Sequence, residues 1–314
     1  MKFLKGLGLS VLGTLLFLSL SLFGFAYTMN ATLLDSQFMI KELDRLDIKA
    51  LVREIYTQQI PPQQQFLATA IDSSIGELEP WMREQLRTVA LSSYDYFLGK
   101  KPDLQISVNL QPAKDTLKNT LKREILKAPP PELAAVLGSL PPAQVDQYFE
   151  QYYQQFMQQM GIPNQWEVNL SQLPPDARQT FSDIRQYLGL YQTLYPVLIA
   201  VMVLSALGII LLHRQVRAST RSLGSIFLTV GIFGYADILL MKYLIGGQLP
   251  SIGLPVRALT DWLSRFFNDF LAPWEKFSIA VGVLGLVLLI VSFVYPKREA
   301  ASEPVVSPPL EKGD

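Results

Sequence analysis

The chain has 314 residues, 27 basic and 27 acidic side chains, one histidine and no cysteine, and 49% of its positions are hydrophobic. Balanced charge removes the cationic surplus that nucleic-acid binding needs. The missing cysteine and single histidine remove disulfides, thiol nucleophiles, thiolate zinc sites and multi-histidine metal centres.

The apolar residues are gathered into long blocks, which is the composition of a membrane protein. Residues 7–27 are uncharged, follow Lys2 and Lys5, and are long enough to cross hydrocarbon about 30 Å thick, so 1–27 is read as an N-terminal anchor and first transmembrane helix. Gly24-Phe25-Ala26 has the small-x-small pattern of a signal-peptidase site. The apolar run exceeds the roughly 7–15 residues of a secretory h-region, which favours an uncleaved anchor.

Residues 28–193 carry 15 basic and 19 acidic side chains and are long enough for a domain with its own core. Leu43, Leu46, Ile48, Leu51, Val52 and Ile55 predict one amphipathic helix, stopped by Pro61-Pro62. A second helix is predicted over 65–98, broken or bent near Pro80, and Gly99 offers its stop. Residues 104–110 alternate as a strand. A third helix over 114–127 repeats Leu117, Leu121 and Ile125. Its other side carries Lys114, Lys118 and Lys122, a stripe that reads as a solvated face or as a contact for a polyanion. Residues 143–160 predict a fourth helix with Val145, Tyr148, Phe149, Tyr152, Tyr153, Phe156 and Met160 on one face. A second alternating piece, 165–170, ends Val-Asn-Leu as 104–110 does. Both precede proline and a helix, a degenerate strand-proline-helix repeat whose strands are expected to pair. The fifth helix, 176–188, leads toward the next span. The proline clusters at 129–131, 141–142 and 174–175 read as stiff helix junctions.

Three further transmembrane helices are predicted over 194–212, 222–241 and 277–295. The nine-residue cytoplasmic loop 213–221 holds three arginines and no acid, and Lys297 and Arg298 follow the last span. Basic flanks are retained on the cytoplasmic side, so both termini are expected inside and 28–193 and 242–276 outside. The tail 296–314, rich in proline, serine and charge, is expected to be disordered and cytoplasmic. Gly224, Gly231, Gly234, Gly282 and Gly285 leave flat strips for close helix approach, within the bundle by default.

Asp237 is the acid inside a predicted span. It reads either as an ion-coupled group or as an interfacial acid bonded to a neighbour, and its cost in lipid predicts that it faces the bundle or water. Residues 255–271 form an amphipathic element within the loop 242–276. Val256, Leu259, Leu263, Phe266 and Phe270 repeat at 3-4-3-4 spacing, Trp262 and Phe267 widen the face, and the near-neutral opposite face favours packing on protein over lying in headgroups.

The fold class is therefore an all-α integral membrane protein with four transmembrane helices and a mainly helical extracytoplasmic domain, carrying at most a small two-stranded sheet. The sequence has no motif that resembles a known family, no catalytic constellation, and no residues arranged for a cofactor or metal. The expected role is a non-enzymatic scaffold, assembly factor or sensor subunit of a prokaryotic plasma membrane. Membrane lipid and a protein are its expected partners, a homo-oligomer included, and nucleic acid is not. The alternative is a small transporter or transport-accessory subunit using Asp237. An envelope enzyme with an acid site near Asp95 and Asp103 has no spacing to recommend it.

Overall fold

The computed structural model describes residues 2–57, 65–127, 139, 141–248 and 256–294. In chain order the elements are α1 (Lys2–Ala31), α2 (Ser36–Asp44), α3 (Ile48–Thr57), α4 (Gln65–Phe97), β1 (Gln105–Asn109), α5 (Gln111–Lys127), α6 (Pro142–Met160), β2 (Gln165–Asn169), α7 (Pro175–His213), α8 (Val216–Gln248) and α9 (Arg257–Val294). The protein is mostly helical with a small two-stranded sheet. Four helices, α1, α7, α8 and α9, are long and apolar enough to cross a membrane, and the chain divides into two compact units.

The first unit comprises Met1–Phe25, Val197–Asp237 and Trp274–Asp314. Its core is a set of apolar layers. Leu16, Ile209 and Leu223 form one with Leu12, Met202 and Leu288 against them, and Leu20, Val230 and Val281 form another with Phe17 and Phe277. The glycine strips let α8 and α9 touch backbone to backbone. A Cβ at Gly231 would lie 2.4 Å from the Gly282 Cα, and one at Gly285 would lie 2.3 Å from the Leu228 amide nitrogen. The outside of this bundle is apolar, with Leu204, Leu211 and Phe293 all exposed. A bundle that is greasy inside and out is matched to lipid, where its backbone bonds are satisfied within each helix.

The second unit comprises Ala26–Pro196 and Ile238–Pro273, with α4 packed on α2, α3, α5 and β1. Leu121 and Ile125 of α5 meet Phe149, Tyr153 and Met157 of α6 in one cluster. The side chains of Leu67, Ile71, Phe156 and Met160, expected to be buried, lie outside the described residues. β1 and β2 pair antiparallel, Gln105 opposite Asn169 and Val108 opposite Trp166. The two Val-Asn-Leu sequences have a local cause. The Asn109 Oδ1 accepts the Gln111 amide at 3.0 Å, and the Asn169 Oδ1 accepts the Gln172 amide at 3.1 Å, so each asparagine closes its strand by capping the turn that follows.

Several boundaries differ from the periodicity. The single helix expected over 41–55 is two, α2 and α3, because Asp47 accepts the Ala50 amide at 2.9 Å and restarts the chain as a new N-terminus. Pro80 lies inside a continuous α4. The bond it forfeits is offset by ties in the turn that follows, where Trp81 donates to the Asn109 carbonyl (3.2 Å) and Arg83 to the Asp44 carbonyl (2.6 Å). The helix over 176–188 and the span 194–212 are one helix containing Pro196, and the amphipathic element and the last span join in one helix, Arg257–Val294, containing Pro273. The cluster 129–131, residue 255 and the tail 296–314 lie outside the described residues.

Candidate functional site

The first half of α9 does not stand free. Trp262 and Asp269 are seven positions apart, hence on one face of the helix, and both reach α2. The Trp262 indole donates to the Glu42 carbonyl at 2.7 Å, and Phe266, between them, lies 5.8 Å from the Phe38 ring centroid. The Glu54 carboxylate accepts the Ala258 amide at 3.1 Å and so supplies an acid at the positive end of α9.

At the centre of this contact sits Glu42, with no exposed surface. One guanidinium, Arg45, holds two acids. It donates to Glu42 Oε1 at 2.9 Å and to Asp269 Oδ2 across the contact. The other Glu42 oxygen, Oε2, has no hydrogen-bond partner among the described residues. Burial pushes the Glu42 carboxyl above its ordinary value, Arg45 opposes the shift, and the neighbouring Asp269 charge adds to it. Arg45 is correspondingly held charged by Asp269 and Glu42. The next turn ties α2 to α4: Arg87 donates to both oxygens of Asp44, at 2.9 and 2.7 Å. Glu79 joins Arg83 and Lys49, which hold its carboxyl below the ordinary range. Chemically the cluster can hold a proton and can couple that proton to the seating of α9 on α2. Among the described residues no group of three His, Asp or Glu side chains converges as a metal centre needs.

The residues singled out from sequence fall as follows. Val256 is buried, and Leu259, Trp262, Leu263, Phe266, Phe267 and Phe270 are half-buried, with Trp262 and Phe266 against α2. Phe267 also lines a small cavity of about 50 Å³ with Lys242 and Leu271. Asp237 is exposed on α8 rather than turned into the bundle, whereas its neighbour Ile238 is fully buried. The lysine stripe of α5 is engaged within the fold. Lys114 donates to the Ile162 carbonyl at 2.6 Å and to Asn164 at 2.8 Å, Lys118 pairs with Glu150 on α6, and Lys122 pairs with Asp146 at 2.9 Å. Lys118 and Lys122 therefore fasten α6 to α5, and Lys114 fastens the segment that follows α6.

In the sequence Glu42 and Arg45 are polar residues beside the apolar positions Leu43 and Leu46 of the amphipathic pattern, which gives them no role. The only local signal is their i,i+3 spacing. Their partners on α9 lie 220 and 224 positions away. No family, no curated protein and no solved structure matches this chain.

Proposed function

We propose that this is a non-enzymatic multi-pass protein of a prokaryotic plasma membrane, a scaffold, assembly factor or sensor subunit that binds a protein partner through the unit outside the bilayer. Both termini are inside, and 28–193 and 242–276 are outside. Basic residues on the short link between α7 and α8 and after α9 support that orientation.

The observation that carries the partner-binding reading is what the second unit leaves exposed. Lys118 and Lys122 on α5 and Arg87 on α4 are joined to acids of the same unit, while Trp166 stays 53% exposed, Tyr187 69% and Leu190 55%. Large aromatic and aliphatic side chains left in water on a charged, folded unit are the usual anchors of a protein interface. A photo-crosslinking residue at 166 or 187 in the native host is expected to capture one stoichiometric protein. The same residue at Arg178, on the exposed start of α7, is expected to capture none. Equal capture at all three positions, or none at any, overturns the reading.

A further inference from the structure

At one end of the first unit all charge has one sign. Lys5 of α1 and Arg214, Arg217 and Arg221 around the start of α8 are cations, and the sequence has no acid at 1–34, 184–236 or 276–298. Among the described residues none of the four makes an ion pair.

Between α1, α8 and α9 at this end lies an open groove of about 760 Å³, within the size range of small-molecule sites. Its apolar lining, the floor, is Leu9, Leu289 and Phe293 with Ala218, and its polar lining, the rim, is Arg221, Ser10, Ser222 and Ser225 with His213 at the end of α7. The walls are fixed by close helix contact: a Cβ at Gly224 would lie 2.9 Å from the Gly285 carbonyl oxygen and from the Leu289 amide nitrogen. Phe293 is 73% exposed, so a small soluble anion at the rim would leave the floor uncovered. An acyl chain covers it. A zwitterionic headgroup would add a further cation to a pole that has no acid among the described residues, whereas an anionic one neutralises it.

We propose that this groove binds one anionic phospholipid, with its phosphate on Arg221 and the Ser10 and Ser222 hydroxyls and an acyl chain along Leu9, Leu289 and Phe293. The inference rests on the four helices lying in a bilayer and not on the protein-partner role, so a chain without any protein partner can still satisfy it.

The full chain, purified in detergent, is titrated with phosphatidylglycerol, with phosphatidylcholine of the same acyl chains, and with glycerol 3-phosphate. Bound lipid is counted by native mass spectrometry alongside the thermal midpoint. Phosphatidylglycerol is expected to bind one to one and raise the midpoint, and phosphatidylcholine to bind at least about tenfold more weakly. Glycerol 3-phosphate is expected to do neither. Arg221→Gln is expected to weaken phosphatidylglycerol binding about fivefold, and Ser222→Asp, which sets a carboxylate on the rim, to weaken it at least as much. Arg178→Gln leaves it unchanged. Equal binding of the two lipids, a response to glycerol 3-phosphate, or wild-type affinity in the Arg221 and Ser222 variants overturns the proposal.

Discussion

Glu42 sets a carboxylate where water does not reach, and its raised pKa fixes the sign of a stability effect. Below the ordinary glutamate range both folded and unfolded chains hold the proton, and the residue contributes nothing to pH dependence. Between that range and the raised folded value the unfolded chain ionises first, so native stability falls as pH rises, and it levels off above the folded value. Glu42→Gln removes this slope. Unfolding curves of the two proteins should coincide in acid and separate through that interval, with the variant the more stable; parallel curves at all pH values would show that Glu42 is not desolvated. Arg45→Ala leaves both acids without their shared cation and is expected to destabilise the fold. Most of that cost should vanish in a Glu42→Gln background, as denaturation of the double variant would report. Asp237 is exposed and without a described partner, so Asp237→Asn should change stability by no more than about 0.5 kcal/mol.

Among the elements, α5 and α6 were the most legible. Leu117, Leu121 and Ile125 repeat every four residues, and the structure buries the last two against Phe149, Tyr153 and Met157. Leu121→Ala should therefore cost about 2–5 kcal/mol in thermal or denaturant unfolding. The glycine strips were legible as positions for close approach, but not as pairs. Gly231→Ala would push its Cβ into the Gly282 backbone and is expected to destabilise by about 1–3 kcal/mol. Gly76→Ala on α4 meets nothing within 4 Å and should stabilise by about 0.5–1 kcal/mol. A destabilised Gly76→Ala together with a neutral Gly231→Ala would contradict the packing. Helix ends were read less well. A break or bend is expected near Pro80 and separate helices over 176–188 and 194–212, yet Pro80 and Pro196 each lie inside a continuous helix. At Pro80 neighbouring elements supply the ties; the break between α2 and α3, by contrast, comes from the Asp47 cap and was masked by apolar residues on both sides of it.

At the scale of the whole molecule the long apolar runs carry the information, because only lipid tolerates a bundle with Leu204, Leu211 and Phe293 on its outside. The spans were therefore visible in one dimension. The Glu42, Arg45 and Asp269 cluster was not, since it exists only once residues 224 positions apart are folded together. The absence of cysteine makes the topology directly measurable, because a single introduced thiol is the only one in the chain. Ser171→Cys and Gln215→Cys are both at exposed positions, on the second unit and on the link between α7 and α8. A membrane-impermeant maleimide applied to intact cells should label Ser171→Cys at once and Gln215→Cys only after the membrane is opened; labelling in the reverse order would contradict the proposed orientation of the chain.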